Sequence, residues 1–269
     1  MKKLLSVGAV LATAALVAGC GSSGQGSGSG DQGSGDQGSG DQAGDRTLNV
    51  FAAASLTESF QALGTEFEAA HKGVTVNVNF GGSSSLVQQI DQGGAPADVF
   101  ASANQKNMDK LVQAGNNAGD PRLFARNTLE IAVPAGNPKK IKSFADLARS
   151  GVKVVVCAPQ VPCGSATEKV EKATGTTLKP RSEETNVKQV LTKVQANEAD
   201  AGLVYVTDVN SAGDKVAGIT FPEASKAINN YPIVAVKGSK HAELAKEFIE
   251  FVRGAQGRAE LEKVGFQAP

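Results

Sequence analysis

Four short stretches of this 269-residue chain combine small, glycine and hydroxyl residues in a pattern suited to holding an anion. They are Phe51-Ala52-Ala53-Ala54-Ser55-Leu56, Phe80-Gly81-Gly82-Ser83-Ser84-Ser85-Leu86, Pro159-Gln160-Val161-Pro162-Cys163-Gly164 and Glu184-Thr185-Asn186-Val187. Each lies where a β-rich run gives way to a helical one, so each would present backbone N–H groups at a helix N-terminus. Those first N–H groups have no partner inside the helix and sit at the positive end of its dipole, which suits an anion. Gly81 and Gly82 would let the backbone approach a ligand closely. None of the four stretches contains Lys or Arg. Such a site works through dipoles and hydroxyls, and fits a desolvated oxyanion held by many directed hydrogen bonds.

Simpler readings compete at each position. Ser55-Leu56-Thr57-Glu58 matches a capping box, in which the serine only caps its helix. The Ser83 to Ser85 run suits a cap plus linker. Tyr205 closes the apolar run Gly202-Leu203-Val204-Tyr205-Val206 and fits a core aromatic with its hydroxyl at the rim.

Other chemistries find less support. Ser150-Gly151-Val152-Lys153 has S-x-x-K spacing, but neither S-D-N nor K-T-G follows. Gly151 there reads better as a helix C-terminal glycine. No His accompanies a serine motif to form a triad, and no G-x-x-x-x-G-K-[ST] loop makes the chain an ATPase. The two histidines, His71 and His241, lack acidic or cysteine companions at ligand spacing, which argues against a metal centre built on histidine. The chain does not read as an enzyme, and no cofactor is implied.

The elements that must carry these loops alternate along the chain. Thr47–Ala52, Val74–Phe80, Ala97–Ala101, Leu129–Pro134, Lys153–Val156, Ala201–Val206 and Ile228–Val236 read as strands. Between them Leu56–Ala70, Ser84–Gln92, Gln105–Ala114, Ser165–Thr174, Val187–Ala196, His241–Val252 and Ala255–Val264 read as amphipathic helices. This predicts an α/β fold, two lobes each built on a mixed, mainly parallel sheet flanked by helices, with a ligand cleft between them. In open α/β sheets, ligands sit beyond the strand C-termini, where the four loops fall.

Residues 1–19 read as a secretory signal: Lys2 and Lys3, an apolar run too short to span a bilayer, and small residues before Cys20. Leu16-Val17-Ala18-Gly19-Cys20 resembles the lipobox of bacterial lipoproteins, which implies cleavage before Cys20 and lipidation of it. The alternative is an ordinary signal with a stray cysteine. Residues 20–46 follow as a Gly/Ser/Asp/Gln linker in which GSGDQ occurs in tandem. It offers no apolar area to offset ordering entropy and is expected to be disordered. Without Lys2 and Lys3 the chain has 25 basic against 27 acidic side chains and no Trp, a balance that does not favour nucleic acid as a partner. In an exported, oxidising setting Cys157 and Cys163 are expected to form a disulfide, against the alternative of two free thiols.

Taken together, Ala52-Ala53-Ala54-Ser55-Leu56, the serine run before Leu86, Gly94-Ala95-Pro96-Ala97-Asp98-Val99-Phe100, Gly202-Leu203-Val204-Tyr205, Tyr231-Pro232 and Gly265-Phe266 resemble the periplasmic molybdate-binding proteins of ABC importers. The resemblance runs from about Leu48 to Phe266 with the motifs in order. It implies a two-lobed periplasmic-binding-protein fold of type II, with residues 47–127 and 231–269 in lobe 1 and 128–230 in lobe 2. It implies a molybdate or tungstate ligand, an ABC permease as partner and a monomer anchored through Cys20 to the outer face of the cell membrane. It also implies ligand hydroxyls at Ser55, Ser83 and Tyr205, and backbone N–H donors at Ser55, Ser83, Cys163 and Val187. The loop at Cys163 is one residue shorter than in the family, so that amide falls on Cys163 or on Gly164. A sulfate- or phosphate-type receptor and an anchored oxyanion sensor are the alternatives.

Overall fold

The structure, a computed structural model, describes residues 46–269. The signal, Cys20 and nearly all of the linker lie outside the described residues. Two five-stranded sheets organise the chain. The first contains β1 (Arg46–Ala53), β2 (Val74–Gly81), β3 (Val99–Ala101), β4 (Asn117–Asn127) and β10 (Asn229–Val236), in the order β2-β1-β3-β10-β4. The second contains β5 (Leu129–Pro134), β6 (Val154–Cys157), β7 (Ser182–Glu184), β8 (Ala201–Tyr205) and β9 (Val216–Ile219), in the order β7-β6-β8-β5-β9. The helices are α1 (Thr57–Ala70), α2 (Ser83–Asp91), α3 (Gln105–Gln113), α4 (Pro162–Thr174), α5 (Val187–Gln195), α6 (Val206–Ala212), α7 (Ala242–Arg253) and α8 (Ala255–Val264).

The two-residue period of β1 sorts its side chains to two cores. Leu48, Val50 and Ala52 pack with Phe60, Leu63 and Phe67 of α1 and with Phe248 of α7. Phe51 points to the other face, against Leu86 and Ile90 of α2 and Met108 and Leu111 of α3. Phe67 meets Phe248 and Phe251 edge-on, with centroids 5.2 and 5.5 Å away. Each such ring, when fully buried, contributes about 1.5–3 kcal/mol. The second sheet has its own core, in which Val154 to Cys157, Leu203 and Val204 pack with Val190, Leu191 and Val194 of α5. Ala54, just past β1, is also buried in that second core.

Three strands and one helix differ from the sequence expectation. β4, β7 and β9 were not expected, and all three are sheet edges. β4 contains Gly119, Asp120 and Pro121, which read locally as a turn; an edge strand tolerates such residues because only one side is hydrogen-bonded. The helix α6 (VTDVNSA) has poor intrinsic helix propensity and begins inside the run read as a strand to Val206. Among the described residues four of eight strand pairings are parallel, so the sheets are mixed in equal parts rather than mainly parallel. The antiparallel pairings all involve β10 and β5, the strands entered when the chain crosses between sheets. Those crossings lie at Thr128, between β4 and β5, and at Ile228, before β10.

Candidate functional site

The four loops singled out in the sequence meet between the two sheets. Ala53, Ala54, Ser55, Gly81, Gly82, Ser83 and Ala103 from the first face Val161, Pro162, Cys163, Asn186, Val187 and Tyr205 from the second. None of these lining residues carries a charge. The space they enclose is about 10 Å³, far below the roughly 300–1,000 Å³ of a pocket for a drug-sized ligand. In this closed arrangement the loops have drawn together until there is room for about one water molecule.

Each loop delivers a helix N-terminus. Gly82 is the N-cap of α2, so Ser83 begins that helix. Pro162 opens α4, where its missing N–H costs nothing, and Cys163 follows. Asn186 caps α5 by accepting from Gln189 N at 3.1 Å, which leaves Val187 as the first helical residue. Between β1 and α1 a 3₁₀ turn, Ala54–Leu56, carries Ser55. Cys163 lines the cavity and Gly164 does not. Gly164 instead packs so tightly on Ala158 and Cys157 carbonyl oxygens that a Cβ would collide with them. A disulfide joins Cys157 at the end of β6 to Cys163, with Cα atoms 5.6 Å apart.

The capping-box reading of Ser55 is overturned. The 3₁₀ turn places the N-cap of α1 at Leu56, with no side-chain cap. The Ser55 hydroxyl lies 2.9 Å from the Tyr231 hydroxyl, and Glu58 pairs with Lys188 instead. Ser83 is no cap either, since the N-cap is Gly82. Its Oγ accepts from Ala103 N at 3.0 Å. Tyr205 is 1% exposed, and its hydroxyl lies inside the assembly rather than at a rim, 2.9 Å from Asn229 Nδ2. Burial holds the Tyr205 phenol well above its ordinary value, with Tyr231 and Asp208 adding to the shift. It therefore stays protonated and able to donate. Both glycines line the cavity; a Cβ on Gly81 would press on Leu86, and the bare Gly82 lets the backbone close on Thr185 across the cleft.

Around the cavity, polar side chains tie the halves together. Lys188 of α5 reaches Glu58 of α1 at 2.7 Å and the fully buried Asp208 at 3.3 Å. Asp208 Oδ2 accepts from Tyr205 N at 3.0 Å, which fixes the start of α6. Asp208 Oδ1 has only the Lys188 ammonium near it and no well-aligned hydrogen bond. Burial accordingly pushes the Asp208 carboxyl up to about 6, against the opposing effects of Lys188 and the Tyr205 amide. At the crossings, Asn127 and Asn229 sit opposite each other in register. Asn127 donates to Thr207 Oγ1 at 2.9 Å, and Asn229 donates to Ala103 O at 2.7 Å. The sequence reading assigned none of Asn127, Asn229, Ala103, Lys188 and Asp208 to the site. No local motif marks them, because their partners lie up to 130 positions away.

Among the described residues no group of His, Cys, Asp and Glu is placed to hold a metal ion, and no helix is long and apolar enough to cross a membrane. Two mixed sheets flanked by helices, with a donor-lined cleft between them, define a two-lobed periplasmic-binding-protein fold. The profile described as bacterial extracellular solute-binding protein matches residues 48–267, and the chain belongs to that family. It is 51% identical over 226 residues to the molybdate-binding protein ModA of Mycobacterium tuberculosis (strain ATCC 25618 / H37Rv), covering 84% of this chain and 86% of that relative. The substrate binding domain of a putative molybdenum ABC transporter from Clostridium difficile matches with 31% identity and a TM-score of 0.61, covering 83% of this chain and 99% of that one. The Azotobacter vinelandii periplasmic molybdate-binding protein superposes with a TM-score of 0.73 over 82% of this chain and 99% of its own, at 22% identity, a likeness of fold alone.

Proposed function

We propose that the chain is an exported binding protein, not an enzyme, that captures molybdate or tungstate in the cleft and delivers it to an ABC permease. The observation that carries this reading is the lining of the cavity: uncharged, and formed from both sheets by helix N-termini and hydroxyls. In this reading Ser55, Ser83 and Tyr205 give hydroxyl donors, and Ser55, Ser83, Cys163 and Val187 give backbone N–H donors. Molybdate is an unprotonated tetrahedral dianion at neutral pH and accepts at every oxygen. A phosphate brings an O–H that would face other donors, at a cost of about 1–3 kcal/mol for the unsatisfied group. Sulfate carries no such proton, so it is rejected by size, through a pocket matched to longer metal–oxygen bonds.

The sequence expectation puts lobe 1 at residues 47–127 and 231–269 and lobe 2 at 128–230. Because Asn229 and Asn230 already pair with Asn127 and Arg126 in the first sheet, lobe 2 ends at Ile228 and the crossings at Thr128 and Ile228 form the hinge. Closure on the ligand by hinge motion creates the form a permease recognises. The protein acts as a monomer held at the outer face of the membrane by lipid on Cys20, after removal of residues 1–19. The lipobox pattern and the polar linker support that anchor. Cys20→Ala should release the protein from membranes or block its processing, read by fractionation.

Isothermal titration with competing oxyanions tests the ligand. Molybdate and tungstate should bind together at the top, sulfate far weaker and phosphate weakest. Tyr205→Phe and Ser83→Ala should each weaken molybdate by about 1.5–3 kcal/mol, the range for a hydrogen bond to a charged group. Sulfate binding as tightly as molybdate would favour the sulfate-type receptor instead.

A further inference from the structure

Asn229 occupies a position from which one amide group touches both halves of the cleft. It is the first residue of β10, is 5% exposed, and its Nδ2 lies 2.7 Å from Ala103 O and 2.9 Å from the Tyr205 hydroxyl. The chemistry of the partners decides which way this amide faces. A backbone carbonyl can only accept, so the atom against Ala103 O is the NH2 group and not the amide oxygen. That nitrogen has two hydrogens and no acceptor capacity. One goes to Ala103 O, and the other must go to Tyr205, whose oxygen is therefore forced to accept.

The same peptide acts at its other end. Ala103 N donates to Ser83 Oγ at 3.0 Å, so that hydroxyl is also an acceptor toward the scaffold. An unbroken path Ser83–Ala103–Asn229–Tyr205 thus occupies one lone pair on each of two cavity hydroxyls. Neither hydroxyl can spend its own hydrogen on these partners, because an N–H group does not accept. Neither hydrogen is committed to these scaffold partners, so both can serve a ligand.

We propose that Asn229 is a specificity-determining positioning residue: its carboxamide sets the Tyr205 hydroxyl as a donor toward the bound oxyanion and so tunes the site to fully deprotonated anions. This rests on the molybdate reading above. Asn229 does not touch the anion in this account; it acts through Tyr205.

A double-mutant cycle with a polarity reversal tests it, using molybdate and inorganic phosphate as probes and thermal unfolding as the check on folding. Asn229→Ala should weaken molybdate at least about tenfold in the wild-type background and less than about twofold in Tyr205→Phe, since coupled residues are non-additive. Asn229→Asp replaces the donor by a group that accepts the tyrosine proton. It should lower the molybdate-to-phosphate affinity ratio at least about tenfold, because the hydroxyl then presents lone pairs that suit a protonated ligand. Equal losses in both backgrounds, or an unchanged ratio in Asn229→Asp, overturn the proposal while leaving the molybdate reading intact. If Asn229→Asp fails to fold, the cycle alone decides. A wild type that binds none of the oxyanions defeats the functional reading and this proposal with it.

Discussion

Gly82 in the first half and Thr185 in the second approach so closely that a single methyl group on Gly82 would collide with the Thr185 carbonyl oxygen. Gly82 has φ −64° and ψ 131°, a conformation open to any L-residue. Its bareness is therefore required by the closed cleft and not by its own backbone.

Gly82→Ala should consequently spare the fold and block closure. Its unfolding free energy should stay within about 0.5 kcal/mol of wild type, as for a substitution that strains neither backbone nor core. Oxyanion affinity should fall at least about tenfold for every anion alike, about 1.4 kcal/mol or more. Calorimetric titration beside thermal unfolding checks both halves of this expectation; a parallel loss of stability and affinity would place the defect in the fold.

Glu58 and Lys188 form an ion pair across the cleft at 2.7 Å. Glu58 is 40% exposed, so solvent and salt screen the pair and its worth is modest. Glu58→Gln should weaken ligand binding by about 0.5–1 kcal/mol, roughly two- to fivefold. The difference from wild type should shrink at high salt. A variant whose deficit is the same at all ionic strengths would show that the contact matters through packing.

Asp208 gives a pH signature. Its carboxyl is raised from an ordinary 3.8 to about 6 by burial, so the folded protein holds this proton more tightly than the unfolded chain does. The stability that the proton confers is fully present below pH 3.8 and is lost as pH rises through 6. Relative to Asp208→Asn, which keeps an acceptor for Tyr205 N, wild type should therefore lose stability between about pH 4 and pH 7. The shift sets a ceiling of about 3 kcal/mol on that loss. Denaturant titrations of both proteins across this range give the difference; a flat or rising difference would contradict the burial argument.

The bond between Cys157 and Cys163 closes a loop of seven residues that presents Cys163 to the cavity. Reduction, or Cys157→Ser with Cys163→Ser, should cost about 2.4 kcal/mol of stability in the chain-entropy account. It should weaken molybdate as well, because the amide at the start of α4 would no longer be held in place. Alkylation without reductant should label neither thiol, and titration of the reduced protein should show the loss of affinity.

Local pattern was enough to reveal the central elements. β1, β6 and β8 are apolar runs because they are buried from both faces, and α1 and α5 repeat apolar residues every three or four positions because each covers a sheet. The strand-to-helix loops followed from that alternation; within them it was the family resemblance that singled out Ser55, Ser83, Cys163 and Val187. The edges β4, β7 and β9 were invisible because β4 contains Gly119, Asp120 and Pro121 and because β7 and β9 are only 3 and 4 residues long, too short to show a period. The edge β2, which alternates as VTVNVNF, was legible. α6 escaped notice because its helix rests on the Asp208 bond to Tyr205 N rather than on propensity. Tertiary structure alone decided what each polar group is for. Ser55 is free of capping duty because a 3₁₀ turn intervenes, Gly82 is bare because Thr185 stands opposite, and Tyr205 accepts from Asn229 because that amide must face Ala103 O. Sequence by itself specified the periodicities, since burial acts on every residue of an element. It left the polarity of the hydroxyls undetermined, because a hydrogen bond depends on which partner the fold brings within 3 Å, and those partners are distant along the chain.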